Sequence, residues 1–265
     1  MKFKRLGVLA ASATLALTAG CGGSGGTAAD NGADLTKANF SSEVIKAQTA
    51  AKTAHIQASI NAQGQKMTMS GDMQMAKDDV AFDLTMAGAS LGGGAQLILA
   101  DRVIYLKMPG LTQTDKYVKI DIGDSSNPMA KMFDQMLGQL DPSRTFRAFE
   151  GITTLKKVGT QEIDGVETTH YSVKVDTQKA LQAQGMAGQV PPGQLPKTLT
   201  YDVWVDGDHL VRRMTMDIQS TNVDMSFSRW GEPVDIKAPP ASQIASMKEL
   251  MQQLGGAAPS GPAQG

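Results

Sequence analysis

Apolar side chains recur at every second position through most of residues 55–230, and this alternation constrains the fold more than any other feature of the chain. Successive side chains of a strand point to opposite faces, so a period of two demands a sheet with one apolar and one polar face. Residues 66–76 (KMTMSGDMQMA) place Met67, Met69, Met73 and Met75 on one face, with Gly71 between them. Residues 80–87 (VAFDLTMA) place Val80, Phe82, Leu84 and Met86 on one face and Asp83 and Thr85 on the other. Strands at 95–100 and 103–106 flank Asp101-Arg102, and another follows at 117–122. Residues 55–62 form an opening strand behind a helix at about 41–53. Short Gly/Asp turns between these runs predict an antiparallel meander.

A helical interruption follows. Met129, Met132, Phe133, Met136, Leu137 and Leu140 fall at helical spacing, Pro128 suits an early helical position, and Asp141-Pro142 opens a second short helix. Strands resume at 154–162, 166–176, 199–206, 210–219 and 222–230, with hairpin chemistry at Asp164-Gly165 and at Asp206-Gly207-Asp208. A Pro/Gly-rich loop at 185–197 separates two of them and is expected to be exposed and mobile, and an amphipathic segment at 242–254 is placed to cap the domain. Meander, helices, meander predicts an α+β fold: one large curved antiparallel sheet with helices against one face. A sheet of this size twists and curls, and its concave side must be filled. A compact side-chain core and a cavity both satisfy that demand.

The amino terminus predicts where such a domain is sent. Lys2, Lys4 and Arg5 precede the uncharged apolar run LGVLAASATLAL at 6–17, which is too short to span a bilayer and has the form of a secretory signal peptide, residues 1–20. Cys21, the single cysteine, follows at once, so it makes no internal disulfide. The LTAGC segment resembles the lipobox of bacterial lipoproteins, with Thr18 in the slot usually held by leucine. That resemblance implies a diacylglyceryl group on Cys21 and cleavage before it, and so anchoring to the outer face of the cell membrane. Residues 22–34 (GGSGGTAADNGAD) have nothing to bury, so 21–39 is expected to be a lipidated cysteine and flexible tether with a reach of about 20 Å. Residues 40–254 make a single domain and 255–265 a disordered tail.

Composition and motifs exclude several functions. With 25 Lys+Arg against 26 Asp+Glu, the chain offers no basic field for nucleic acid. Gly88-Ala89-Ser90-Leu91-Gly92 matches G-x-S-x-G, but it leads into Gly93-Gly94 and another strand, a hairpin context and not a nucleophile elbow. His55, His170 and His209 share no metal-ligand spacing, and no dinucleotide or P-loop fingerprint occurs, so neither metal, cofactor nor catalytic residue is assigned. Methionine is abundant, at 16 residues, whereas aromatics make up 5%. The Met67/Met69/Met73/Met75 ladder is either plain core or a soft wall able to repack around acyl chains.

The segments DGVETTHYSVKVD (164–176), LPKTLTYDVWVDGDHLVRRMTMDI (195–218) and VDIKAPP (234–240) resemble the LppX/LprA/LprF/LprG lipoproteins of actinobacteria. The resemblance implies an open or half β-barrel, akin to the LolA/LolB carriers, with helices closing a hydrophobic cavity. It further implies a membrane-anchored protein that binds acylated lipid or glycolipid and moves it within the envelope, with a membrane transporter as a partner that could supply direction. Strand parity assigns the inward face to Met67, Met69, Met73, Met75, Phe82, Leu84, Met86, Tyr201, Val203, Met214, Met216, Met225 and Phe227. Two rival readings stand beside the carrier: an envelope adaptor with a solid interior, and, behind it, a hydrolase acting through Ser90.

Overall fold

A computed structural model of the chain describes residues 35–76, 79–110, 115–124, 146–185, 187–188 and 193–245. The signal peptide, Cys21, residues 22–34, the helices expected over 128–145 and the tail lie outside the described residues.

Helix α1 (Phe40–Ala51) leads into the first meander: β1 (Thr53–Ala62), β2 (Gln65–Ala76), β3 (Asp79–Gly88), β4 (Ala95–Ala100), β5 (Val103–Lys107) and β6 (Val118–Asp121). The second meander is β7 (Ile152–Ile163), β8 (Val166–Asp176), β9 (Thr198–Asp206), β10 (Val211–Ile218) and β11 (Thr221–Ser228). Helix α2 (Thr177–Ala183), which the sequence reading did not anticipate, follows β8, and the Asp176 carboxylate caps it by accepting from Lys179 N at 2.9 Å. Of the second short helix expected from Asp141-Pro142, the described part begins at Phe146: Phe146 and Arg147 are α-helical and pass into a 3-10 turn, Ala148–Gly151.

The pairings between these strands are all antiparallel and join one sheet in the order β6-β5-β4-β3-β2-β1-β11-β10-β9-β8-β7. Each meander is local. The two are fused by β1 lying against β11, with Ala58 opposite Met225. The strands β6 and β7 are neighbours in the chain but form opposite edges, so the sheet is open and not a closed barrel. Tight turns carry the alternation from strand to strand. Asp164-Gly165, at φ 49° and 79°, are both left-handed, as a two-residue hairpin requires. The Asp206 carboxylate accepts from Asp208 N, Leu210 N and Arg212 Nε at 3.0, 2.9 and 2.6 Å, closing the β9–β10 turn around one buried acid.

The main core lies on one face of the sheet. Phe40 and Val44 of α1, with Phe146, Phe149 and Ile152, pack onto Ile56, Tyr171, Val173, Tyr201, Val203, Met214 and Phe227. Leu35 belongs to the same cluster, so packed chain begins ahead of Phe40, within the stretch assigned to the tether. At the other end, residues 241–243 form a 3-10 turn and Ile244 bridges Tyr117, which ties the start of the expected capping segment to β6.

Candidate functional site

The cross-strand register brings all thirteen residues chosen by parity onto a single face. One row runs Met86, Met69, Ala58, Met225, Met214, Val203, Tyr171 across seven strands from β3 to β8. The next runs Met67, Ile60, Val223, Met216, Tyr201, Val173. Phe82 lies opposite Met73, Leu84 opposite Gly71, and Met75 opposite Val80; Phe227 lies opposite Ile56. Since side chains alternate along a strand, a shift of one residue anywhere would have turned a whole strand outward.

This face is filled unevenly. Tyr201, Val203, Met214 and Phe227 are buried in the main core, so they form its floor. Aromatic rings lock that region: Phe40 meets Phe149 and Tyr171 edge-on at 5.3 and 5.5 Å, Phe149 meets Tyr201 at 5.6 Å, and Phe146 meets Phe227 at 6.1 Å. Burial holds the Tyr201 phenol above its ordinary pKa, because the phenolate would lose its hydration there. On β2 and β3, and at Met216 of β10 and Met225 of β11, the packing thins. Met69, Met73, Leu84, Met216 and Met225 touch the core but stay only partly buried. Met75 and Met86 are half-buried, and Met67 is 37% exposed. Phe82 is buried in a second cluster with Leu99, Ile104, Val118 and Ile120, which continues the same face out to β6.

A half-exposed apolar surface rich in methionine can accept other apolar surface without rigid shape matching, since thioether chains repack at little rotameric cost. Gly71 sits in its middle because a Cβ there would enter the van der Waals shell of the Asp83 carbonyl. Parity missed the residues that do the filling, Phe40, Val44, Phe149 and Tyr171, and the extension through Leu97 and Leu99. The β4 signal was obscured because Ile98 and Ala100 pack on the other face with Tyr105 and Tyr117, which makes the strand apolar on both sides.

The opposite face carries His55 and His170, whereas His209, in the β9–β10 turn, lies 3.8 Å from Glu43 of α1. His55 Nδ1 lies 2.6 Å from Asp72 Oδ1, and His170 Nε2 lies 2.8 Å from Asp202 Oδ1 while its ring stacks on Trp204 at 4.3 Å. Arg213 also covers Trp204, and its bidentate bonds to Asp224 raise its pKa against the smaller effect of burial. Among the described residues no cluster of His, Cys, Asp or Glu has the makings of a metal site. Ala89–Leu91 is a 3-10 turn joining β3 to β4 of the same meander, the hairpin context that the GASLG motif implied. A depression of about 670 Å³ lies away from both, between α2 and the loop bearing Leu195 and Pro196.

Comparison with known proteins gives the following. The model of the LppX_LprAFG lipoprotein family matches residues 38–236. The lipoarabinomannan carrier protein LprG of Mycobacterium tuberculosis is 28% identical over 249 residues, covering 90% of this chain and 97% of that protein. A Streptomyces griseus protein described as uncharacterized is 28% identical over 156 residues, 54% of this chain, and there the chain spans about half (51%) of the relative's length. The crystal structure of LprF from Mycobacterium bovis superposes with a TM-score of 0.57 at 18% identity, covering 77% of this chain and 97% of that one, a likeness of fold.

Proposed function

Since this chain belongs to the LppX_LprAFG lipoprotein family, we propose that it binds the acyl chains of a lipid or glycolipid against its methionine-rich face and carries that lipid within the cell envelope. The observation that supports this most is the gradient of packing on one continuous apolar face. Aromatic rings close the region over Tyr171, Tyr201 and Phe227, while Met67, Met69, Met73, Leu84, Met216 and Met225 retain exposed apolar surface beside it. A relative aligned over nearly its whole length is named as a carrier of lipoarabinomannan.

No bond is made or broken in this reading. Each methylene that leaves water gains about 0.8 kcal/mol. A bilayer offers nearly the same gain, so the protein makes a lipid portable without setting its direction. Direction comes from a donor or acceptor, such as a membrane transporter. Cys21 carries the diacylglyceryl anchor, and the glycine-rich residues after it let the domain reach away from the outer face of the cell membrane.

The adaptor reading is supported by the densely packed aromatic cluster of Phe40, Phe149 and Tyr201. Native purification with gentle detergent, followed by mass spectrometry of the intact protein, separates the two. A stoichiometric acylated lipid that dissociates from the protein, over and above the covalent anchor on Cys21, supports the carrier; protein with the anchor alone that also fails to take up lipid from vesicles leaves the adaptor.

A further inference from the structure

Helix α1 presents Phe40, Val44 and Gln48 to the interior, residues spaced four apart on one stripe. The first two are core aromatic and aliphatic contacts, and the third is a carboxamide with 4% exposure. Among the described residues neither its Nε2 nor its Oε1 has a hydrogen-bond partner. An amide brings two donors and an acceptor, and a buried polar group without partners is destabilising, so native structures rarely retain one without a use.

Its position suggests that use. The Gln48 carbonyl accepts from Lys52 N at 3.2 Å to end the helix, and the Lys52 carbonyl in turn accepts from Met75 N at 2.6 Å. Residue 48 therefore stands one helical turn from the point where α1 is tied to the end of β2 that carries Met73 and Met75, and its side chain is buried on the same stripe of α1 as Phe40 and Val44.

We propose that the Gln48 carboxamide is the polar contact of the apolar site and donates a hydrogen bond to an ester carbonyl at the head of a bound acyl chain. The proposal rests on the carrier reading and adds a ligand chemistry to it: an ester-linked lipid over an ether-linked or purely hydrocarbon one. Methylene burial cannot distinguish these, whereas one donor in a dry site can.

The test uses the full chain, a diacyl phosphatidylglycerol with ¹³C-labelled ester carbonyls, and its dialkyl ether analogue, each displacing a fluorescent fatty acid. The unaltered chain should prefer the ester by about three- to tenfold, with the labelled carbonyl stretch moved to lower frequency on binding. Gln48→Met, close in volume, should weaken ester binding to the level of the ether, leave ether binding unchanged, return the carbonyl stretch, and melt no lower than the parent when ligand-free. Equal affinity of the unaltered chain for ester and ether, or an unshifted carbonyl because a buried water serves the amide, would overturn the proposal and leave the carrier intact. Binding of neither lipid would remove both. The selectivity and the carbonyl shift are measured on the unaltered chain, so the outcome does not depend on the variant folding.

Discussion

Leu84 lies opposite Gly71 on one side and Leu97 on the other, partly buried where the packed core gives way to the methionine surface. A larger ring there has room only if that surface is free to receive one. Leu84→Trp should therefore block uptake of a fluorescent acyl lipid while lowering the melting temperature little. In a filled core the same insertion would cost about 1–3 kcal/mol in strain, and a strong loss of stability with no lipid bound by the parent would end the carrier reading. Tyr201 belongs to the closed side. Burial favours its neutral phenol, so its folded pKa lies above the ordinary 10.0. The stability this supplies is complete below pH 10 and is lost as pH rises through the folded value. Denaturant titrations should show stability falling above about pH 10, with a smaller fall in Tyr201→Phe; an identical alkaline limb in the two proteins would remove Tyr201 as a contributor.

The β2–β3 hairpin is the element on which the half-open surface depends, because Met67, Met69, Met73 and Met75 face Phe82, Leu84 and Met86 across it. Gly71 lets the two backbones meet at its centre. In Gly71→Ala the new methyl would overlap the Asp83 carbonyl, and backbone cannot swing away as a side chain end does. A loss of about 3 kcal/mol is expected, concentrated in β2 and β3 when amide exchange is followed strand by strand. Unchanged protection in those strands would mean that the pairing adjusts freely. The β9–β10 turn is held differently, by the Asp206 carboxylate serving two amides and Arg212, so it tolerates left-handed His209 without a glycine at that position.

At the scale of the molecule the proposed function gives the sheet domain and the amino-terminal segment separate tasks. Among the described residues no helix is long and apolar enough to cross a membrane. In the proposed function, retention at the membrane is the task of Cys21. Cys21→Ser should leave export and the melting temperature unchanged and shift the protein from membrane to soluble fractions, since stable anchoring takes more than a single acyl chain. A variant that stays on membranes through a salt wash would show that the domain itself holds the bilayer.

The sequence by itself determined the strands, their inward faces and the two meanders, because period-two alternation and left-handed turn residues are local properties that survive without tertiary contacts. Met67 to Met75 and Phe82 to Met86 needed only parity to be placed. It did not determine helix α2, whose seven residues are specified by the Asp176 cap more than by any periodicity, nor the apolar second face of β4. Tertiary structure alone decided that β1 pairs with β11 and that β6 and β7 end at opposite edges of the sheet, since pairing between strands far apart in the chain leaves no local trace. It also decided which of the thirteen inward residues are floor and which remain partly open. Alternation reports which way a side chain points, and only the placement of Phe40, Phe146 and Phe149 above the sheet fixes what stands in front of it.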